Sequence, residues 1–354
     1  MTRQTPAELR RGGRLILLLA GLASAICVTA TAQAKPIQEV FKEDHATSGV
    51  VRWIVPGGVS RLNVELFGSG PFYQGVLAPD AVKGTVSVTT GEELHLNIGG
   101  LHTRGIDELS GACAGVTNPA TELLRAPFGR ANRLAVAAGS QKCGGPSVAP
   151  PGGTIVSLPG AGSANGGVGL EYTPALNPGR RISVTLAGGT VSFRRGKTGE
   201  FQQLTGALVA SGVTIDARKG SVRVMTAFSK GRYQVLDIRD GLFRLLQTRD
   251  RQPVTQVRLA GRLSCPDGRG IRVVGVSREF PWSPGPSSPI AYGEWRIRGR
   301  QAETSARGGL VWEVHDRCDG TTLVRGARTG GRITVRDFKK KKTVLLRRGS
   351  YVAG

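Results

Sequence analysis

A two-residue hydrophobic rhythm, broken every few residues by glycine, proline or asparagine, runs through this chain. Leu62, Val64 and Leu66 alternate with polar residues, and so do Leu94, Leu96 and Ile98, then Val168, Leu170 and Tyr172. The rhythm returns at Ile182-Val184-Leu186, Val222-Val224, Trp295-Ile297, Leu310-Trp312-Val314 and Ile333-Val335. Strict alternation places one apolar face on each short strand, which is the pattern of half-buried β-sheet. Many such strands with glycine-rich turns predict an all-β fold of two sandwich or jelly-roll-like domains. One short helix is expected, at about Pro119–Arg125, with Asn118 as N-cap and Pro119 in the first turn. The 52 glycines concentrate in places, notably Gly139–Gly169, which reads as long loops on a β-sandwich.

The first 34 residues read as a cleavable secretory signal. Arg3, Arg10, Arg11 and Arg14 precede an apolar run from Leu15 to Thr31, and Ala32-Gln33-Ala34 is a small-residue cleavage site. Ile26 stands where a lipoprotein would need a small residue before Cys27. No later stretch is long and apolar enough to span a bilayer as a helix. Four cysteines then remain: Cys113, Cys143, Cys265 and Cys318. Pairing Cys113 with Cys143 and Cys265 with Cys318 keeps each bridge within one domain, and each loop closed would be worth about 3–4 kcal/mol. Zinc is the rival use of cysteine, but the chain has no C-x-x-C and no Cys/His cluster of ligand spacing.

The net charge of +23 is unevenly spread. Residues 35–180 carry 11 Lys/Arg and 11 Asp/Glu, whereas residues 181–354 carry 33 and 13. The shift puts a boundary near Pro178-Gly179, with Pro174–Arg181 as linker, and predicts domains at 47–174 and 185–352. Ser283–Pro289 reads as a loop inside the second domain.

Both halves resemble known families. Trp53–Gly68 contains Val55-Pro56-Gly57-Gly58-Val59 followed by alternating Leu62-Val64-Leu66. Lys83–Val88, Gly91–Gly100, Arg133–Gly139 and Gly166–Thr173 follow in order. Over 47–174 this resembles the bacterial glycine-rich β-domains. In the second half, Thr190–Arg195, Leu204–Asp216, Lys219–Val224, Gly309–Val314, Gly331–Val335 and Thr343–Tyr351 resemble the FecR-type extracytoplasmic domain over about 185–352. That resemblance implies a sensing or binding module. The cytoplasmic segment and membrane helix of FecR proteins have no counterpart in these residues, so their sigma-factor circuit is not implied.

No motif points to catalysis, to a cofactor or to a bound metal. Gly196-Lys197-Thr198 imitates the end of a P-loop, but Val191 stands where the motif needs glycine. Leu158–Gly162 imitates a sortase signal without its threonine. His95 and His102 flank a Gly-Gly turn, where a solvated strand histidine and a loop histidine serve as well as a metal pair. His315-Asp316 sits beside Cys318 and could be a catalytic dyad, but Asp316-Arg317-Cys318-Asp319-Gly320 reads better as a disulfide-stapled hairpin turn. Glu92-Glu93 and Asp107-Glu108 are neighbours, so in strands they face opposite ways.

What remains is basic. Arg194, Arg195 and Lys197 surround one turn. Arg296, Arg298 and Arg300 alternate and are expected in a row on one strand face. Lys339, Lys340, Lys341 and Lys342 read as a hairpin tip, with Arg347 and Arg348 nearby. Such rows concentrate positive potential and attract polyanions. The expected function is therefore a non-enzymatic surface or secreted binding protein. Its partner would be an anionic envelope polymer or an envelope protein. Few aromatics interleave with these charges, so nucleic acid is not expected apart from extracellular DNA.

Overall fold

In a computed structural model, the residues described are 36–42, 50–68, 80–99, 121–127, 132–137, 147–157, 166–196, 198–229, 231–261, 263, 265, 270–276, 294–306, 310–326 and 332–354. The signal segment lies outside them, as do Cys113, Cys143, His102, Lys197 and the Ser283–Pro289 loop. The fold is all-β, and among the described residues no helix is long and apolar enough to cross a membrane.

The first half supplies β1 (Ile37–Lys42), β2 (Val50–Ile54), β3 (Arg61–Phe67), β4 (Asp80–Ser87), β5 (Glu93–Asn97), β6 (Thr121–Arg125), β7 (Arg133–Ala137), β8 (Thr154–Ser157) and β9 (Gly167–Tyr172). They form two antiparallel sheets, ordered β1-β9-β3-β4-β8 and β2-β5-β6-β7. β3 shows how alternation is used: Leu62, Val64 and Leu66 are buried, while Arg61 and Asn63 are exposed.

The helix expected at Pro119–Arg125 is not formed. Thr121–Arg125 is strand β6, paired with β5 on one side and β7 on the other. Thr121, Glu122, Leu123 and Leu124 are all buried. A helix would have given up two ladders and this burial, so tertiary packing overrides the local N-cap signal.

The second half supplies β10 (Arg181–Arg194), β11 (Gln202–Gln203), β12 (Gly206–Ala210), β13 (Thr214–Ser229), β14 (Arg232–Arg239), β15 (Leu242–Gln247), β16 (Thr255–Leu259) and β17 (Ile271–Val276). They are followed by β18 (Trp295–Arg298), β19 (Ala302–Ala306), β20 (Val311–Asp316), β21 (Thr322–Gly326), β22 (Ile333–Asp337), β23 (Lys342–Leu346) and β24 (Gly349–Ala353). All belong to one sheet, running β23-β22-β19-β18-β16-β15-β13-β14-β17-β20-β21-β24, with β10 against β11, β12 and β13. It curls into a nearly closed barrel. Inside lie Trp295, Trp312, Phe243, Leu245, Val257 and Ile297, all buried.

The two halves meet tightly, and Ala34–Gly354 forms one compact unit. The first-half core includes Met225, Ala227, Tyr233 and Val235 from the outer face of β13 and β14. A Cβ on Gly57 would lie 2.2 Å from the Ala207 carbonyl oxygen, so this contact needs glycine. The segment 174–181 is built into the structure. Leu176 is buried in the core, and the Gly179 N–H donates to Gln247 at 3.0 Å.

Candidate polyanion-binding face

The register of the curled sheet aligns basic residues that are far apart in sequence. Arg194 on β10 lies opposite Thr214, Thr214 opposite Arg244, and Arg244 opposite Arg258. Arg258 lies opposite Arg298, Arg298 opposite Glu303, and Glu303 opposite Arg336. Phe193, Ile215, Phe243, Val257, Ile297 and Val335, next to these residues in sequence, are buried in the barrel. By strand parity, the arginine and Glu303 side chains therefore face outward, while Thr214 between Arg194 and Arg244 is buried. With neighbouring strands about 4.8 Å apart, the six steps from β10 to β22 span about 29 Å along the sheet.

Local contacts hold the guanidinium groups without neutralising them. Arg194 lies over the Phe201 ring and Arg298 over the Phe338 ring, each 4.8 Å from the centroid. Arg244 Nε donates to the Gly212 carbonyl at 2.9 Å. The row's one acid, Glu303, accepts from Gln256 and lies 3.9 Å from Arg296. Among the described residues, Arg194, Arg244, Arg258, Arg298 and Arg336 have no carboxylate partner. Some arginines elsewhere are paired: Arg223 with Asp237 at 3.0 Å, Arg272 with Asp240 at 3.2 Å, Arg296 with Glu294 at 2.8 Å. Like charges directly opposite on neighbouring strands are destabilising, by an amount on the scale of cross-strand pairs, roughly 0.2–1 kcal/mol. Arg244–Arg258 and Arg258–Arg298 are two such pairs.

Several residues singled out from the sequence stand elsewhere. Arg296, Arg298 and Arg300 do not form a row along one strand. β18 ends at Arg298, and Arg300 sits in the turn toward β19, where its backbone N–H donates to Asp316 at 2.9 Å. Arg296 is tied to Glu294, so of the three only Arg298 joins the cross-strand row. Lys339–Lys341 lie in the turn between β22 and β23, and Lys342 opens β23. Asp337 anchors that turn, accepting from the Tyr351 hydroxyl at 2.9 Å and the Lys340 N–H at 2.9 Å. Phe338, beneath Arg298, precedes Lys339, so the lysine turn adjoins the row. Arg347 and Arg348 follow the other end of β23, with Arg347 about 17 Å from Lys342 at the rise of a strand. Arg195 is exposed beside Arg194.

Arg244, Arg258 and Arg336 were not singled out from the sequence. Arg244 and Arg258 each stand between two apolar neighbours and Arg336 follows Val335, which gives the face of each but not its cross-strand partner.

Cys265 and Cys318 form a disulfide-compatible pair with Cα atoms 5.7 Å apart, at the turn joining β20 to β21. His95 Nε2 lies 2.7 Å from Glu93, and His315 projects from β20. Burial pushes the His315 imidazole down. Among the described residues no three His, Cys, Asp or Glu side chains gather as a metal site would require.

Comparison with family models, with curated proteins and with solved structures returns no match. The functional reading therefore rests on the geometry of the face.

Proposed function

We propose that the chain is an exported, non-enzymatic binding protein. It grips an anionic envelope polymer along Arg194, Arg244, Arg258, Arg298 and Arg336, with Lys339–Lys342 extending the row. The observation that carries this reading is the direct cross-strand alignment of Arg244, Arg258 and Arg298, with no acid between them. A solvated surface gains nothing from such alignment and loses stability by it. A linear polyanion laid across the strands would neutralise the row and release its counterions. The leader-like first 34 residues and the Cys265–Cys318 pair support an oxidising, extracytoplasmic setting.

The test is retention on purified cell wall as salt is raised. The protein should bind at low salt and elute as salt rises. The double variant Arg258→Ser/Arg298→Ser should elute earlier, and Arg347→Ser/Arg348→Ser should elute with the parent. Absent or salt-insensitive retention would reject the reading.

A further inference from the structure

A cleft of about 410 Å³ lies where β1, β2 and β10 converge, well within the size of small-molecule sites. β1 and β2 are the end strands of their sheets, so the cleft opens at the edge of the first-half fold. β10 shapes the opposite wall. Its register with β13 shifts between Leu186 and Gly188, leaving Ala187 as the extra residue of a bulge. Gly189 follows at φ +68°, where a Cβ would lie 2.3 Å from the Lys219 carbonyl oxygen. The wall therefore depends on glycine.

Three polar features line this space. Glu39 is 8% exposed; its carboxylate accepts from Trp53 Nε1–H at 3.1 Å and from the Tyr172 hydroxyl. Both donors are neutral, and two carboxylate oxygens have room for further donors. Burial, reinforced by Glu39, pushes the Tyr172 hydroxyl well above its usual range and keeps it a donor. Arg223 reaches the cleft from β13 while paired with Asp237. Arg52, its side chain 72% exposed at the mouth, makes a two-pronged bond to Glu93 at 2.8 and 2.7 Å. Trp53, Phe41, Pro56 and Leu186 supply apolar surface.

This chemistry differs from that of the arginine row. Both guanidinium groups already hold a carboxylate, so an anion gains little here. Donors and acceptors instead stand side by side against an aromatic wall. A ring bearing hydroxyls, which both donate and accept, with an apolar C–H face, matches that arrangement. We propose that the cleft lined by Glu39, Arg52, Trp53 and the β10 bulge binds a neutral saccharide unit of one or two rings. This site is independent of the polyanion face.

The test titrates the full chain with cellobiose, maltose and N,N′-diacetylchitobiose, with inorganic phosphate as the charged control. Binding is read by tryptophan fluorescence and by saturation-transfer NMR. At least one disaccharide should bind saturably. Ala187→Trp, at the exposed bulge, should fill the cleft and abolish that binding at an unchanged melting temperature. Arg52→Ala should weaken it about tenfold, the loss of a charge-assisted hydrogen bond. Arg258→Ser should leave it intact, separating this site from the polymer face. The inference is overturned if no disaccharide saturates, if Ala187→Trp and Arg52→Ala both bind as the parent does, or if phosphate binds and Ala187→Trp abolishes it.

Discussion

Arg258 on β16 and Arg298 on β18 are direct partners across a parallel pair of strands, both facing outward, with no carboxylate on either. They are 40 positions apart in sequence, and the pairing is made by the curl of the sheet. Replacing Arg258 with Ser should therefore leave the melting temperature unchanged or raise it slightly, because a like-charge contact is removed. The same change should weaken retention on an anionic polymer and lower the slope of log affinity against log salt by about one. Thermal denaturation and salt-dependent binding measured on one preparation check both halves of this expectation.

Buried Glu39 links two elements through Trp53 and Tyr172. Glu39→Leu leaves both donors without their acceptor, each costing about 1–3 kcal/mol. The midpoint of denaturant unfolding should fall accordingly, and Glu39→Gln, which keeps an acceptor oxygen, should lose much less.

The Cys265–Cys318 bridge closes a separation of 53 residues. Its loss should cost roughly 3–4 kcal/mol in the chain-entropy account. Cys265→Ser should melt lower than the parent under non-reducing conditions. With reductant present the parent should converge on the variant.

Stability should fall in acid through Asp216 and Asp337. The side-chain N–H groups of Arg218 hold the Asp216 carboxyl below its ordinary 3.8. Burial pushes Asp337 upward, but the Lys340 N–H, the Tyr351 hydroxyl and the Lys340 ammonium outweigh it and hold it low. A depressed folded-state pKa contributes stability that is complete above the unfolded value and disappears as pH falls through the folded one. Unfolding free energy should therefore decline below about pH 4. Asp337→Asn should flatten part of that decline, as measured by denaturant titration at several pH values.

How far the sequence could be read varies from element to element. Alternation at Leu62–Leu66 gave both the strand and its buried face, and Asp319-Gly320 marked the β20–β21 hairpin turn. Asn118-Pro119 pointed to a helix at residues that became β6, because burial between two partner strands outweighed the capping signal. Sequence alternation marks Arg298 but groups it with Arg296 and Arg300 along the chain. The row in the structure runs across strands instead.

What the chain itself determined was the strand parity: which side chains point inward, which outward, and that most of the positive charge falls after residue 180. Those properties are local, since successive side chains of a strand alternate whatever its neighbours are. The tertiary structure decided which outward residues stand side by side. Register between β15, β16 and β18 is set by long-range pairing and by packing around Trp295 and Phe243. That pairing set Arg244, Arg258 and Arg298 side by side, and the meeting of β1, β2, β10 and β13 brought Glu39, Arg52 and Arg223 around one cleft.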